Sequence, residues 1–554
     1  MSQTLVIGID LGNSNCSLSY FMPGTSDSKM VPLEDGKNVL PSVVLFPFNG
    51  SEPWVGTPAR DGLGNGLRFE NFKGKLMSEA EPEAVTDEKK TVTKSPMDAL
   101  TTLLRYLATR ASTHGELNSY FVPRQEQFVP REPIYLTLGV PTQAPEHYKD
   151  RLRRACVASG WLTEEQITEY LSFVAEPIAV PLNIKPGERR NFFIYDHGGL
   201  TLDMARIQLD QAQSPPYKVL AYKERVACTI QGRSYNVGGS MLDRLLLRFA
   251  LTRAGGVSAL QSQVLEAYEI EFDAARLETL VQLEIDPPNS GNEARVYANL
   301  CRDMERLRIA LSPQTALAQR FSLGSGSLPV KTKISVKKED LDEAFREVFQ
   351  AIRQKMSSTI GEGELCFLVG GCSLTPAFQG LMKEYFGSIR AQVPDSPMET
   401  IARGLSKYYR TGIAGADGVG EFVPVVDDSV DTDYGVWNDG MARWDVVLSK
   451  GTSFSDTALP KSIPGSSGGI FQVYRPLTQT TEISLRVGQR DITGEWIKLG
   501  ERAVHLPSPT TNFRLYFSMN SQTQKLEMRL FSSETKKLIR VTDPQFTINT
   551  IKKE

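Results

Sequence analysis

A chain of 554 residues exceeds what one hydrophobic core organises, so two or more domains are expected. With 40% hydrophobic and 23% charged residues the composition is that of a globular protein, and a formal net charge of -3 excludes a mainly electrostatic nucleic-acid binder. The six cysteines contain no C-x-x-C pair and the histidines number four, which argues against a zinc site and for reduced thiols. The opening residues have no basic run before a short apolar stretch, and nothing approaches the roughly 18 apolar residues of a membrane span. A cytoplasmic protein that engages neither membrane nor nucleic acid is expected.

In chain order, Leu5 to Asp10 reads as an apolar strand, Gly12 to Asn15 as a turn, and Cys16 to Phe21 as the returning strand. From Ser95 to Ser112 a helical spacing places Leu100, Leu103, Leu104 and Leu107 on one face. A strand from Ile134 to Val140 leads through Pro141 to a helix from Glu146 to Ser159. The strand Asn191 to Asp196, a Gly-Gly turn and the strand Leu202 to Leu209 repeat the opening hairpin, the weak internal echo of a duplicated domain. A helix stripe from Leu341 to Met356 precedes the strand Leu365 to Val369 and a second Gly-Gly turn. Residues 413–430 read as a linker carrying the apolar piece Phe422 to Val426. From 431 to 554 short alternating strands predict an all-β domain.

The two hairpins hold what a nucleoside triphosphate requires: backbone amides and hydroxyls for phosphate oxygens, and carboxylates for hydrated Mg²⁺. In the first, Asp10 precedes Gly12, Asn13 and Ser14; in the second, Asp196 and Asp203 flank Gly198, Gly199, Leu200 and Thr201. Glycine lets the backbone approach phosphate closely. The two hairpins are expected to face each other across a cleft and clamp a polyphosphate.

The segments IGIDLGNSN, VPTQAPEHYKDRLRRA, AEPIA, YDHGGLTLD, VGGSMLD and LVGGCSLTP occur in the order of the corresponding motifs of the heat shock protein 70 (DnaK-like) chaperones, which the chain resembles over almost its whole length. That resemblance implies an α/β actin-like ATPase domain of duplicated ribonuclease H-like fold over 1–412, followed by an all-β peptide-binding sandwich. It implies ATP or ADP with Mg²⁺ as cofactors and a weak ATPase activity. Asp10 and Asp203 would hold the Mg²⁺ water shell, with Asp196 beside the γ-phosphate, Ser14 and Thr201 offering hydroxyls and Glu176 organising metal waters. Lys73 matches the lysine that contacts the γ-phosphate, with Lys75 the alternative. Around the nucleoside fall Gly238, Gly239, Glu305, Arg308, Ser312, Gly370 and Gly371. Ile309 and Leu374 stand where the family has arginines, exchanging cation stacking of roughly 0.5–2 kcal/mol for apolar cover. Asn13 and Leu200 replace a threonine and a glycine, and His197 is unusual beside Asp196. If the loop requires positive φ, Leu200 alters its phosphate contacts.

The resemblance further implies coupling through the linker, in which Pro424 departs from the family form, and through Pro141 and Lys149. Val436, Trp437, Met441 and Tyr474 are expected to line a pocket for an extended peptide. The chain stops soon after its last strand, so no helical lid is expected. The implied function is a chaperone coupling ATP to a polypeptide client or partner protein, with J-domain and nucleotide-exchange cochaperones. The alternative is a nucleotide-bound interaction module that does not cycle.

Overall fold

The computed structural model describes residues 5–546 except 211–216, 285–291, 312–317, 322–333, 357–363, 453–470, 475–480, 520–525 and stretches of five residues or fewer. The chain divides into two compact units, one of residues 1–192, 205–224 and 399–554, the other of residues 193–204 and 225–398.

The first unit opens on strand β1 (Val6–Leu11), which returns antiparallel as β2 (Asn15–Phe21) with Asp10 opposite Ser17. Helix α1 (Lys73–Met77) is short. Helix α2 (Pro96–Thr113) starts where the sequence stops it from starting earlier: Ser95 accepts from the Asp98 amide and Asp98 accepts from the Ser95 amide, with proline at the first turn. Its predicted stripe of Leu100, Leu103, Leu104 and Leu107 is buried. Strand β3 (Tyr135–Val140) lies parallel to β1 and is followed by α3 (Glu146–Ala158), and β4 (Leu171–Ala175) lies parallel to β3. The sheet order β4-β3-β1-β2 makes β1 interior, which is why its sequence is a continuous apolar run and not an alternating one. Ile7, Ile9, Leu136, Leu138, Leu104 and Leu152 share this core.

The chain then crosses into the second unit along β5 (Arg189–His197) and turns into β6 (Leu202–Asp210), with β7 (Tyr217–Arg225) beyond. Helix α4 (Gly239–Arg253) packs on α5 (Asn292–Leu311). Strand β8 (Leu365–Val369) neighbours β5, pairs parallel with residues 391–392, and leads through residues 370–375 to α6 (Pro376–Phe386). The order 391/392-β8-β5-β6 has the pattern of the first sheet, a hairpin with two further strands on one side.

Back in the first unit, α7 (Thr400–Ser406) packs on β1 and β2, and Ser19 donates its hydroxyl to the Ala402 carbonyl. On another side α7 packs against residues 176–179, and that contact needs glycine: a Cβ on Gly404 would stand 1.8 Å from the Ala179 oxygen. The stretch expected as a linker is partly strand. β9 (Tyr409–Ala414) pairs antiparallel with β10 (Gly420–Pro424), and β11 (Val426–Asp427) runs parallel to the start of β7. Val425 lies outside the described residues.

The β-rich end carries a sheet of β12 (Tyr434–Asn438), β13 (Arg443–Leu448), β15 (Glu482–Arg490) and β16 (Trp496–His505), and a second of β14 (Phe471–Tyr474), β17 (Phe513–Met519), β18 (Leu526–Ser532) and two short strands. Inward residues of both sheets, among them Val436, Val487, Val504, Leu515, Phe517 and Leu530, form one core. No helix occurs among the described residues from 434 to 546, and among those described in the whole chain no helix is long and apolar enough to cross a membrane.

Candidate functional site

In the first unit the turn between β1 and β2 sets the phosphate-type loop. Its backbone is fixed from outside by Ser42, whose hydroxyl donates to the Gly12 carbonyl at 2.8 Å and whose amide donates to the Ser14 carbonyl at 2.9 Å. Asn13 is buried and donates to the Asn71 side chain at 2.8 Å. Asn71 sits at positive φ two residues before Lys73, so one hydrogen bond ties the loop to the segment that presents the lysine. Lys73 and Glu176 form an ion pair at 2.7 Å with side chains only 8% and 9% exposed. Lys75, two residues on, is exposed. Gly12, Asn13, Ser42, Phe72, Lys73 and Tyr148 line a common small cavity.

The electrostatics of this cluster are those of two acids sharing one base. Burial and the nearby Glu176 carboxylate push Asp10 up to about 7, against the opposing pull of Lys73. Burial by itself would lower Lys73, but Glu176, Tyr148 and Asp10 outweigh it and hold the ammonium above the usual lysine range. The result is a charged lysine at the loop, paired with Glu176.

In the second unit the turn between β5 and β6 closes with the Gly198 amide donating to the Thr201 carbonyl at 2.9 Å. Backbone is laid directly against this turn. A Cβ on Gly238 would stand 2.1 Å from the Leu200 carbonyl carbon, and one on Gly370 (φ +80) 2.5 Å from the His197 oxygen. Gly239 and Ser240 at the start of α4 donate to the Gly198 and Gly199 carbonyls at 3.0 and 2.8 Å. Leu200 is not among the residues at positive φ, so the turn accommodates leucine without strain. Asp196 and Thr201 are buried and Gly371 is exposed.

His197 is fully buried, its ring edge-on to Tyr195 and Phe378, with Nδ1 3.1 Å from the Tyr195 hydroxyl. Burial, then Arg308, lowers it to about 3, so it is a neutral packing residue at physiological pH.

The α5 residues expected on the nucleoside side divide. Arg308 points inward, its Nε 2.7 Å from Asp243 and its Nη1 3.5 Å from the Cys372 thiol, which in turn donates to the Gly198 carbonyl. Burial raises Asp243 to about 7 despite this partner. Glu305 is half-buried, and Ile309 and Leu374 are exposed at 57% and 37%. Ser312 lies outside the described residues. Asp203 is fully buried and stands 3.6 Å from the guanidinium of Arg225, itself buried. The sequence reading did not include Asn71, Ser42, Arg225, Asp243 or Cys372; each acts through a partner remote in sequence.

The two halves fit the implied ligands differently. In the first unit, a charged lysine beside the β1–β2 turn suits an anionic ligand. A hydrated Mg²⁺ at Asp203 would share its carboxylate with the buried guanidinium of Arg225, 3.6 Å from one carboxylate oxygen.

In the β-rich end Val436 is a core residue, 1% exposed, and not a pocket lining: strand alternation sends it inward with Tyr434 and turns Trp437 outward. Trp437 stands edge-on to Trp444, which stacks on Trp496 at 5.2 Å. Met441 is exposed in the turn between β12 and β13, and Tyr474 is paired with Phe513 at the end of β14. Pro141 follows β3, and Lys149 is buried on α3, 3.7 Å from Glu146.

This combination defines a mixed α/β chain with a β-sandwich end, and sequence similarity gives it a closer context. It is 22% identical over 514 residues to the chaperone protein DnaK of Thermotoga maritima, covering 89% of this chain and 72% of the relative. It is 21% identical over 522 residues to the chaperone protein DnaK of Thermosipho melanesiensis, covering 91% and 73%. The chain is thus Hsp70-like at low identity and along most of its length. No family model matches it.

Proposed function

We propose that this chain is an ATP-binding molecular chaperone of the heat shock protein 70 type, with an actin-like nucleotide-binding domain of duplicated fold over residues 1–412, a coupling segment over 413–430 and a client-binding β-sandwich over 431–554. The observation that carries the reading is the buried Lys73–Glu176 pair beside Asp10, held against a turn that Ser42 and Asn71 anchor. A charged lysine fixed at a phosphate-type loop stabilises developing negative charge on a transferring phosphoryl group without reorganising. The similarity to DnaK across most of the chain supports a polypeptide as the client, and a J-domain protein and an exchange factor as the partners. The β10 and β11 strands give the coupling segment a defined backbone to transmit nucleotide state.

The test is single-turnover hydrolysis of ATP by the full chain, wild type against Lys73→Ala. A fall of about 100-fold or more in the variant is expected. Equal rates in both would remove Lys73 from the mechanism. A second reading, a nucleotide-bound module that does not cycle, is favoured by the Asp203–Arg225 pair and predicts tight ATP binding with no wild-type turnover.

A further inference from the structure

Lys73 opens α1, and α1 has five residues, too few to hold a helical turn by its own hydrogen bonds. Its place must come from what grips it. On the N-terminal side that is the bond between Asn13 and Asn71. On the C-terminal side it is one face of α3. The Arg151 guanidinium donates through Nη1 to the carbonyls of Leu76 and Ser78 at 2.7 and 2.6 Å, and through Nη2 to that of Ala80 at 2.9 Å. His147, one turn earlier on α3, donates from Nε2 to the Met77 carbonyl at 2.8 Å. Tyr148, beside it, lines the small cavity that Lys73 also lines.

A buried guanidinium is costly unless it is paired and hydrogen-bonded. Arg151 is 1% exposed, yet the carboxylate that meets it, Glu81 at 3.1 Å, is 63% exposed. An acid so exposed contributes little. The charge of Arg151 therefore serves chiefly the backbone carbonyls, the groups that a helix end leaves without intrahelical partners. A planar fork suits that task, because its donors reach several carbonyls at fixed angles.

We infer that Arg151 is the positioning residue for Lys73: it fixes the backbone of residues 76–80 and so holds the ammonium 2.7 Å from Glu176. The inference rests on the reading of Lys73 as the phosphate lysine and assigns its placement to α3. A misplacement of about 1 Å in such a group costs about 100-fold in rate.

Acylation of lysines by an N-hydroxysuccinimide ester, mapped by mass spectrometry on the full chain, reads the placement without nucleotide, with exposed Lys75 as internal standard. Arg151→Met should label Lys73 about tenfold faster or more than wild type. Its single-turnover ATP hydrolysis should fall by about tenfold or more, with ATP affinity kept within about threefold. Leu107→Ala, in the buried stripe of α2, lowers stability elsewhere and should leave Lys73 protected. Where Arg151→Met does not fold, Arg151→Lys takes its place: a point charge cannot span the three carbonyls, so labelling about threefold faster or more is expected. Lys73 as well protected in the Arg151 variant as in wild type overturns the inference. So does equal exposure of Lys73 by Leu107→Ala at the same loss of melting temperature, and so does faster labelling with unchanged turnover. A wild type without turnover counts against the ATPase reading, while labelling still decides whether Arg151 places Lys73.

Discussion

Replacing Lys73 by methionine keeps the length of the side chain and deletes the cation between Glu176 and Asp10. The structure sets the scale: the pair is 2.7 Å apart and over nine-tenths buried on both sides. Removing one partner of such a pair costs about 3–5 kcal/mol, because the remaining carboxylate is left desolvated. Asp10, already raised to about 7 by burial and by Glu176, loses the one neighbour that pulls it down. The cost therefore depends on pH. Asp10 escapes it by protonating, so destabilisation is larger at pH 8 than at pH 5.5. Urea denaturation at these two pH values gives the free energies, and Glu176→Gln alone and combined with Lys73→Met completes a double-mutant cycle. The double variant should recover much of the loss, with a coupling energy of about 2 kcal/mol or more. A Lys73→Met loss below about 1 kcal/mol at pH 8, with the two substitutions additive within about 0.5 kcal/mol, would refute the claim that this pair organises the cluster.

Asp10→Asn should flatten the stability profile between pH 4 and 7. An acid with a folded pKa near 7 and an unfolded value of 3.8 stays protonated in the native state while the unfolded chain releases its proton, so stability falls as pH rises through that window. The wild type should lose at most about 4 kcal/mol relative to the variant across it, as thermal melts at stepped pH will show, and parallel profiles would contradict the assignment. Gly404→Ala drives a methyl group into the Ala179 carbonyl, so α7 must move away from the segment 176–179. A loss of about 3 kcal/mol or more is expected in the same melts, and an unchanged midpoint would show that the helix shifts freely.

Much of the secondary structure is legible from local chemistry. The Ser95–Asp98 capping box, the leucine stripe of α2, the apolar run of β1 and the glycine-bearing turns after Asp10 and Asp196 all lie within a few residues of the elements they specify, because capping, periodicity and turn geometry are short-range effects. The β-rich end is legible for the same reason, through alternation. What the site does with those elements was not. The motif points to Lys73 with Lys75 as the alternative; a two-residue step along α1 turns Lys73 toward Glu176 and leaves Lys75 exposed. Val436 and Trp437 are neighbours that strand geometry sends to opposite faces.

By itself, then, the sequence determined which segments become strands, turns and helices and which acids and glycines stand at the turns. Only the tertiary structure decided the charge partners, since Lys73 meets Glu176 across 103 positions and Arg308 meets Asp243 across 65. It also decided that Leu200 sits without strain and that Asp203 faces an arginine. Coulombic and close-packing interactions act through space over a few ångströms, so which residues they join depends on how distant strands and helices are brought together and not on spacing along the chain.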